Sequence, residues 1–132
     1  MTEEGKGPPA PPPGPPAPAV PAAPPQATIE EFQRLAFRVG VVKTAQDHPN
    51  ADRLLVLTVD IGEDAPRQVV AGIKGSYRAE ELIGKHVVVV SNLKPATLRG
   101  VESRGMVLAA SDGSSIIVVS PERPIQAGSP VK

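Results

Sequence analysis

"KGSYRAEELIGK", Lys74 to Lys85, is the stretch on which the fold turns. Ser76 is a helix-capping type, Ala79 to Leu82 are good helix formers, and Gly84 stands where a glycine ends a short helix. The spacing predicts about one turn of helix. On either side lie runs of β character, "QVVAGI" (68–73) before it and "HVVVVSNL" (86–93) after it. Two further β segments precede these. "AFRVGVVKTAQ" (36–46) alternates at Phe37, Val39 and Val41, with Arg38 and Lys43 between, and "LLVLTVDIG" (54–62) is closed by the turn "GEDAPR". "MVLAAS" (106–111) makes a fifth, and "SIIVVS" (115–120) comes after the turn "DGS".

Five β segments with one short helix between the third and fourth is the order of an OB-fold, an all-β, five-stranded Greek-key barrel. Thr28 and Glu31 form a capping-box pattern that starts a second short helix, with Phe32 and Leu35 for its apolar face. The Gly/Pro-punctuated residues up to Lys132 are expected to add a C-terminal strand extension.

Of the 17 prolines, eleven fall in residues 1–28. With little there to bury, that stretch reads as a disordered Pro/Ala-rich linker or tail biased to polyproline II, and residues 29–132 as one small domain. Glu3 and Glu4 at the start, with prolines breaking any apolar run, argue against a signal peptide. No stretch approaches the roughly 18 apolar residues of a membrane span. The chain has no cysteine, which removes disulfides and zinc–thiolate sites and suits a cytoplasmic location.

Formal net charge is zero, and setting aside Glu3, Glu4 and Lys6 leaves the domain at about +1. Only the placement of charge is therefore informative. Lys94, Arg99 and Arg104 crowd into "NLKPATLRGVESRGM" (92–106) against the single acid Glu102. In an OB-fold the loops joining strands one to two and four to five flank the ligand face. Here those are "QDHPNADRL" and "KPATLRGVESRG", both expected to overhang one concave face. Lys94, Arg99, Arg104 and Arg53 are candidate phosphate contacts, and Asn92 and Ser103 are candidate neutral donors. His48, Asn50, Tyr77 and Met106 are further candidates. Three of them have a structural alternative: a turn for Asn50, cover for one barrel end for Tyr77, and a core position in strand five for Met106. A metal at His48 and Asp52 is not expected, because His86 is the only other histidine and three ligands are needed. Nucleophilic triads, phosphate-cradling glycine loops and isolated carboxylate pairs are missing from the pattern, so neither an enzyme nor a cofactor is expected.

Taken together, "RVGVV", "HPNADRLLVLTVDIGE", "QVVAGI" and "YRAEELIGKHVVVVSNLKPATLRGVESRGMVLAAS" resemble the tRNA-binding domain family. Its members include the C-terminal domain of bacterial methionyl-tRNA synthetase, free-standing bacterial tRNA-binding proteins and the endothelial monocyte-activating polypeptide II group. The resemblance covers about residues 29 to 132. It implies an OB-fold that binds tRNA by backbone and shape, without catalysis, aiding a tRNA synthetase or acting as a free-standing protein, and it implies a homodimer joined through C-terminal strands, as bacterial members often form. The scarcity of aromatics, Phe32, Phe37 and Tyr77 alone, fits a shape reader better than a stacking platform. The family commonly carries another basic residue near Ala96 or Thr97, which this chain lacks. That departure and the neutral net charge favour the alternative, a protein-interaction or dimerisation module with weak or no RNA binding.

Overall fold

The computed structural model describes residues 25–132, so most of the expected tail lies outside the described residues. Thr28 caps α1 (Ile29–Gln33) as its pattern predicts. Its hydroxyl accepts the Glu31 N–H at 3.1 Å, and the Glu31 carboxylate accepts the Thr28 N–H at 2.8 Å. The apolar side of this helix does not enter the core: Ile29, Phe32 and Leu35 are all exposed. Phe32 stacks instead on Phe37, with ring centroids 5.5 Å apart.

The barrel is built from β1 (Phe37–Asp47), β2 (Leu55–Asp60), β3 (Arg67–Ala71), β4 (His86–Val90) and β7 (Met106–Val107). They pair antiparallel in the order β3-β2-β1-β4-β7, giving the expected OB-type barrel. Between β4 and β7 stands a two-stranded ribbon, β5 (Ala96–Leu98) and β6 (Val101–Ser103), in a stretch expected to be loop. Beyond β7, β8 (Ala109–Ser111) and β9 (Ile116–Val118) form a second ribbon. Asp112 turns that ribbon by accepting the backbone N–H groups of Ser114 and Ser115, which hold its carboxyl below the usual range. The expected C-terminal extension is β10 (Pro130–Val131), paired with the start of β1.

β1 departs from the simple alternation of its sequence. The pairing with β2 shifts register between Val42 and Thr44, a bulge at Lys43. Val42 faces the barrel core, and a Cβ placed on Gly40 would collide with the core side chain of Val59. Val39 lies on the opposite side and is buried as well, and its backbone pairs with the C-terminal segment: its N–H donates to Ser129 and its carbonyl accepts from Gly128. The apolar set at Phe37, Val39 and Val41 is therefore not the inward one. The strand is covered on both sides, which alternation alone does not reveal.

The deciding helix is present as α2 (Ala79–Leu82). Its cap residue is Arg78 and not Ser76. The Arg78 N–H is taken by the Glu81 carboxylate, while the Ser76 hydroxyl accepts the Ile116 N–H from β9. Leu82, fully buried, inserts the helix into the core formed by Val42, Leu55, Leu57, Val59, Val69, Val87 and Val89. Gly84, at positive φ, ends the turn and donates to the Val42 carbonyl.

Candidate nucleic-acid interface

The β5–β6 ribbon gives the cationic stretch a definite shape. Leu98 pairs with Val101, leaving Arg99 and Gly100 as a two-residue turn. Their φ values, 53° and 91°, are both positive, as the turn that matches strand twist requires. Glycine and asparagine adopt this conformation readily, whereas arginine does so at a cost of about 1 kcal/mol or more. Arg99 is the only non-glycine at positive φ among the described residues, and it sits exposed at the ribbon tip.

The tip is clasped to the loop between β1 and β2. His48, 6% exposed, lies between the two. Its Nδ1 accepts the Asn50 N–H at 2.9 Å, so the ring proton sits on Nε2, which donates to the Leu98 carbonyl at 2.9 Å. Asn50 Nδ2 donates to the Arg99 carbonyl, and the Arg99 guanidinium donates back to the Asn50 carbonyl, both at 3.4 Å. His48 and Asn50 thus join the two loops to each other, and His48 has no nitrogen left for a ligand.

The foot of the ribbon is held by residues that spacing did not single out. Arg67 donates to the carbonyls of Ser91 and Arg104, one just before the ribbon and one just after it. The same guanidinium grips the Glu63 carboxylate at 3.0 and 2.8 Å. That pairing holds the Glu63 carboxyl below its usual range, with Arg38 and Arg104 adding weaker attraction. Gln68 of β3 donates to the Glu102 carbonyl, and its own carbonyl accepts the Arg104 N–H at 2.8 Å. Ser103, 3% exposed, accepts the Val70 N–H and donates to the Gly105 carbonyl. Its hydroxyl stitches β6 to β3 and is not free to meet a phosphate. The only warning in the sequence is that Arg67 and Gln68 open a strand, a common position for polar residues.

Asn92, though exposed, is engaged as well: its amide accepts the Ala36 N–H and donates to the Arg34 carbonyl, fixing the segment that leads into β1. Tyr77 packs against the core with its hydroxyl accepting the Val118 N–H, which is the end-cover role. Met106, expected in the core, is 47% exposed. Lys94, Arg99, Arg104 and Arg53 all remain exposed. Arg99 is joined to the β1–β2 loop at the ribbon tip, and Arg53 belongs to that same loop. Arg104 lies at the foot, within electrostatic reach of Glu63. Among the described residues no group of three or more His, Cys, Asp or Glu side chains is placed to hold a metal ion. No helix among them is long and apolar enough to cross a membrane.

A five-stranded antiparallel barrel with the β1–β2 loop and the β5–β6 ribbon locked together, and Arg53, Lys94, Arg99 and Arg104 exposed around them, belongs with the OB-type barrels. Sequence comparison narrows this. Residues 37–130 match the family described as "Putative tRNA binding domain", and the chain belongs to that family. It is 47% identical over 105 residues to a methionine–tRNA ligase of Thermococcus kodakarensis, covering 80% of this chain and 14% of that protein. A methionine–tRNA ligase of Methanosarcina acetivorans is 49% identical over 109 residues, covering 82% and 15%. The chain thus spans about one seventh of the length of the curated relatives it matches. Among solved structures, a methionyl-tRNA-synthetase-related protein from Pyrococcus horikoshii superposes with TM-score 0.76 at 32% identity, covering 82% of this chain and 99% of that one. The chaperone CsaA of Bacillus anthracis gives TM-score 0.74 at 28% identity, covering 82% and 100%.

Proposed function

We propose that this chain is a non-catalytic, structure-specific tRNA-binding module of the cytoplasm, serving a tRNA synthetase or acting as a free-standing tRNA-binding protein. Residues 29–132 form the binding unit, and residues 1–28 link it to whatever it serves. The observation that carries the reading is the β5–β6 ribbon, held at its tip by His48 and at its foot by Arg67, with Arg99 exposed at the end. Such a clasped finger, with an arginine at its tip and Lys94 and Arg104 flanking its foot, suits a ligand of fixed shape. Arg53, Lys94, Arg99 and Arg104 contact phosphates near the tRNA elbow or the acceptor-side backbone. Asn92, Ser103 and His48 support these contacts by shaping the loops. The exposed apolar residues Ile29, Phe32 and Leu35, which line a depression with Val131 beside β10, support pairing of two copies through this edge.

The test is a titration of the chain with folded tRNA, an unstructured RNA of equal length and duplex RNA, at 50 and 200 mM salt. Four neutralised phosphates predict that affinity for folded tRNA falls about a hundredfold between those salt concentrations. Arg99→Glu should weaken tRNA binding by about tenfold or more and leave the particle mass unchanged. Equal weak binding to all three RNAs, with a salt slope near zero, would sink the proposal and favour a protein-docking module.

A further inference from the structure

One cleft lies beside two of the proposed phosphate contacts, Lys94 and Arg53, and its apolar interior has no part in them. The β5–β6 ribbon walls it on one side and the β8–β9 ribbon on the other, with the end of β3 as its floor, and its volume is about 490 Å³. Val70, Ala71 and Ile73 in the floor are buried. On the walls Leu93, Leu98 and Met106 stand 39%, 39% and 47% exposed, an unusual concentration of large apolar side chains around one opening. The volume falls within the roughly 300–1,000 Å³ range of small-ligand sites.

The polar groups around it decide what would fill it. Lys94 is in its lining. Gly72 and Ile116 are shared with a second depression that also contains Arg53, Lys74 and Asp52. Lys74 pairs with Asp47 at 3.3 Å, which leaves Arg53 as the cation available in that depression. Asp52 beside it offers an acceptor for a ribose hydroxyl. A largely apolar cleft with one lysine in its lining and an arginine in the adjoining depression matches one nucleotide: a flat base in the cleft and its flanking phosphates on the two cations. A purely apolar partner would leave those charges unmatched, and a duplex is too wide to enter.

We infer that this cleft receives one unpaired nucleotide of the bound RNA, its base against Leu93, Leu98 and Met106 and its flanking phosphates on Lys94 and Arg53. The inference rests on the tRNA-binding reading and adds base burial to what is otherwise recognition of shape. No aromatic side chain lines the cleft, so the base packs on leucine methyl groups and on the Met106 thioether, whose sulfur makes favourable contacts with aromatic rings.

The experiment uses the full 132-residue chain and a double variant, Leu93→Ala with Met106→Ala. The probes are folded tRNA, a single-stranded RNA hexanucleotide and a blunt-ended RNA duplex. The expected result is about tenfold weaker binding of tRNA and hexanucleotide, unchanged binding of the duplex and an unchanged salt slope. Met106→Phe, which supplies a ring for stacking, should tighten the first two. Equal loss for all three probes, or no loss for any, overturns the inference. So does a shift of the Leu93, Leu98 and Met106 methyl resonances with an apolar peptide but not with the hexanucleotide, which assigns the cleft to a protein partner. If the unaltered chain binds none of the RNAs, the tRNA reading fails and this inference fails with it. If it binds tRNA as tightly as the double variant does, only the nucleotide cleft is lost.

Discussion

His48→Ala is the substitution that tests most directly whether the two loops act as one unit. The imidazole makes two bonds of 2.9 Å, one from the Asn50 N–H and one to the Leu98 carbonyl. A neutral hydrogen bond contributes about 1 kcal/mol net, and both partners lie near solvent, so water replaces part of what is lost. The expected destabilisation is about 2 kcal/mol, or a fall of roughly 10 °C in Tm for a domain of this size. Without the histidine, the tip is left with the Asn50–Arg99 bonds, which are long at 3.4 Å. If Arg99 then no longer meets its phosphate, one charge-assisted contact of about 1.5–3 kcal/mol goes with it, weakening tRNA binding by at least about tenfold. The slope of log affinity against log salt should become shallower by about 0.7–0.9, the share of one phosphate. His48→Gln, whose amide has both an acceptor oxygen and N–H donors, should recover part of both losses. Denaturation curves and tRNA titrations at several salt concentrations read these quantities. A variant that loses stability but keeps the affinity and slope of the parent would refute the positioning argument.

Arg99→Asn should separate stability from binding in the other direction. Asparagine suits the positive φ of 53°, so the domain should gain about 0.5–1 kcal/mol in denaturant unfolding while tRNA affinity falls. Arg67→Ala removes the tie across the ribbon foot, and the cost should be about 2–3 kcal/mol by the same assay. The lowered pKa of Glu63 sets a pH dependence: its pairing with Arg67 contributes above the ordinary carboxylate pKa of about 4.3 and is lost as pH falls through the lower folded value. Because Glu63 is 39% exposed, solvent screening limits this to a few tenths of a kcal/mol. Glu63→Gln should accordingly flatten the acid limb of stability slightly below about pH 4, and an unchanged limb would remove that pair from the account. Tyr77→Phe leaves the Val118 N–H without its acceptor and should cost about 1–2 kcal/mol, with no change in tRNA affinity; a loss of affinity would restore a stacking role for the ring.

Local chemistry was legible without any coordinates wherever the determinant is short-range. The Thr28–Glu31 cap, the one-turn helix at Ala79–Leu82 and its stop at Gly84 follow from neighbouring residues, and all are present. The first four strand runs also read correctly, and with the helix between the third and fourth they were enough to specify the barrel, although the fifth run, 106–111, divides into β7 and β8 and the β5–β6 ribbon read as loop. The exposed cations at Arg53, Lys94, Arg99 and Arg104 could be named from charge and loop position. What each polar neighbour does could not be read in this way. Whether Asn92, Ser103 or His48 faces solvent depends on which distant backbone group lies opposite, and those partners are 33 to 58 residues away along the chain. The same holds for β1, where Val39 is buried on the side opposite the core cluster, so alternation does not reveal which face is inward. Sequence determined the main barrel strands, the short helices and the family, because capping, β runs and motif are written in adjacent residues. Only the tertiary structure decided which polar side chains are used up in holding the loops and which remain free, because a hydrogen bond is a relation between two places that the fold brings together.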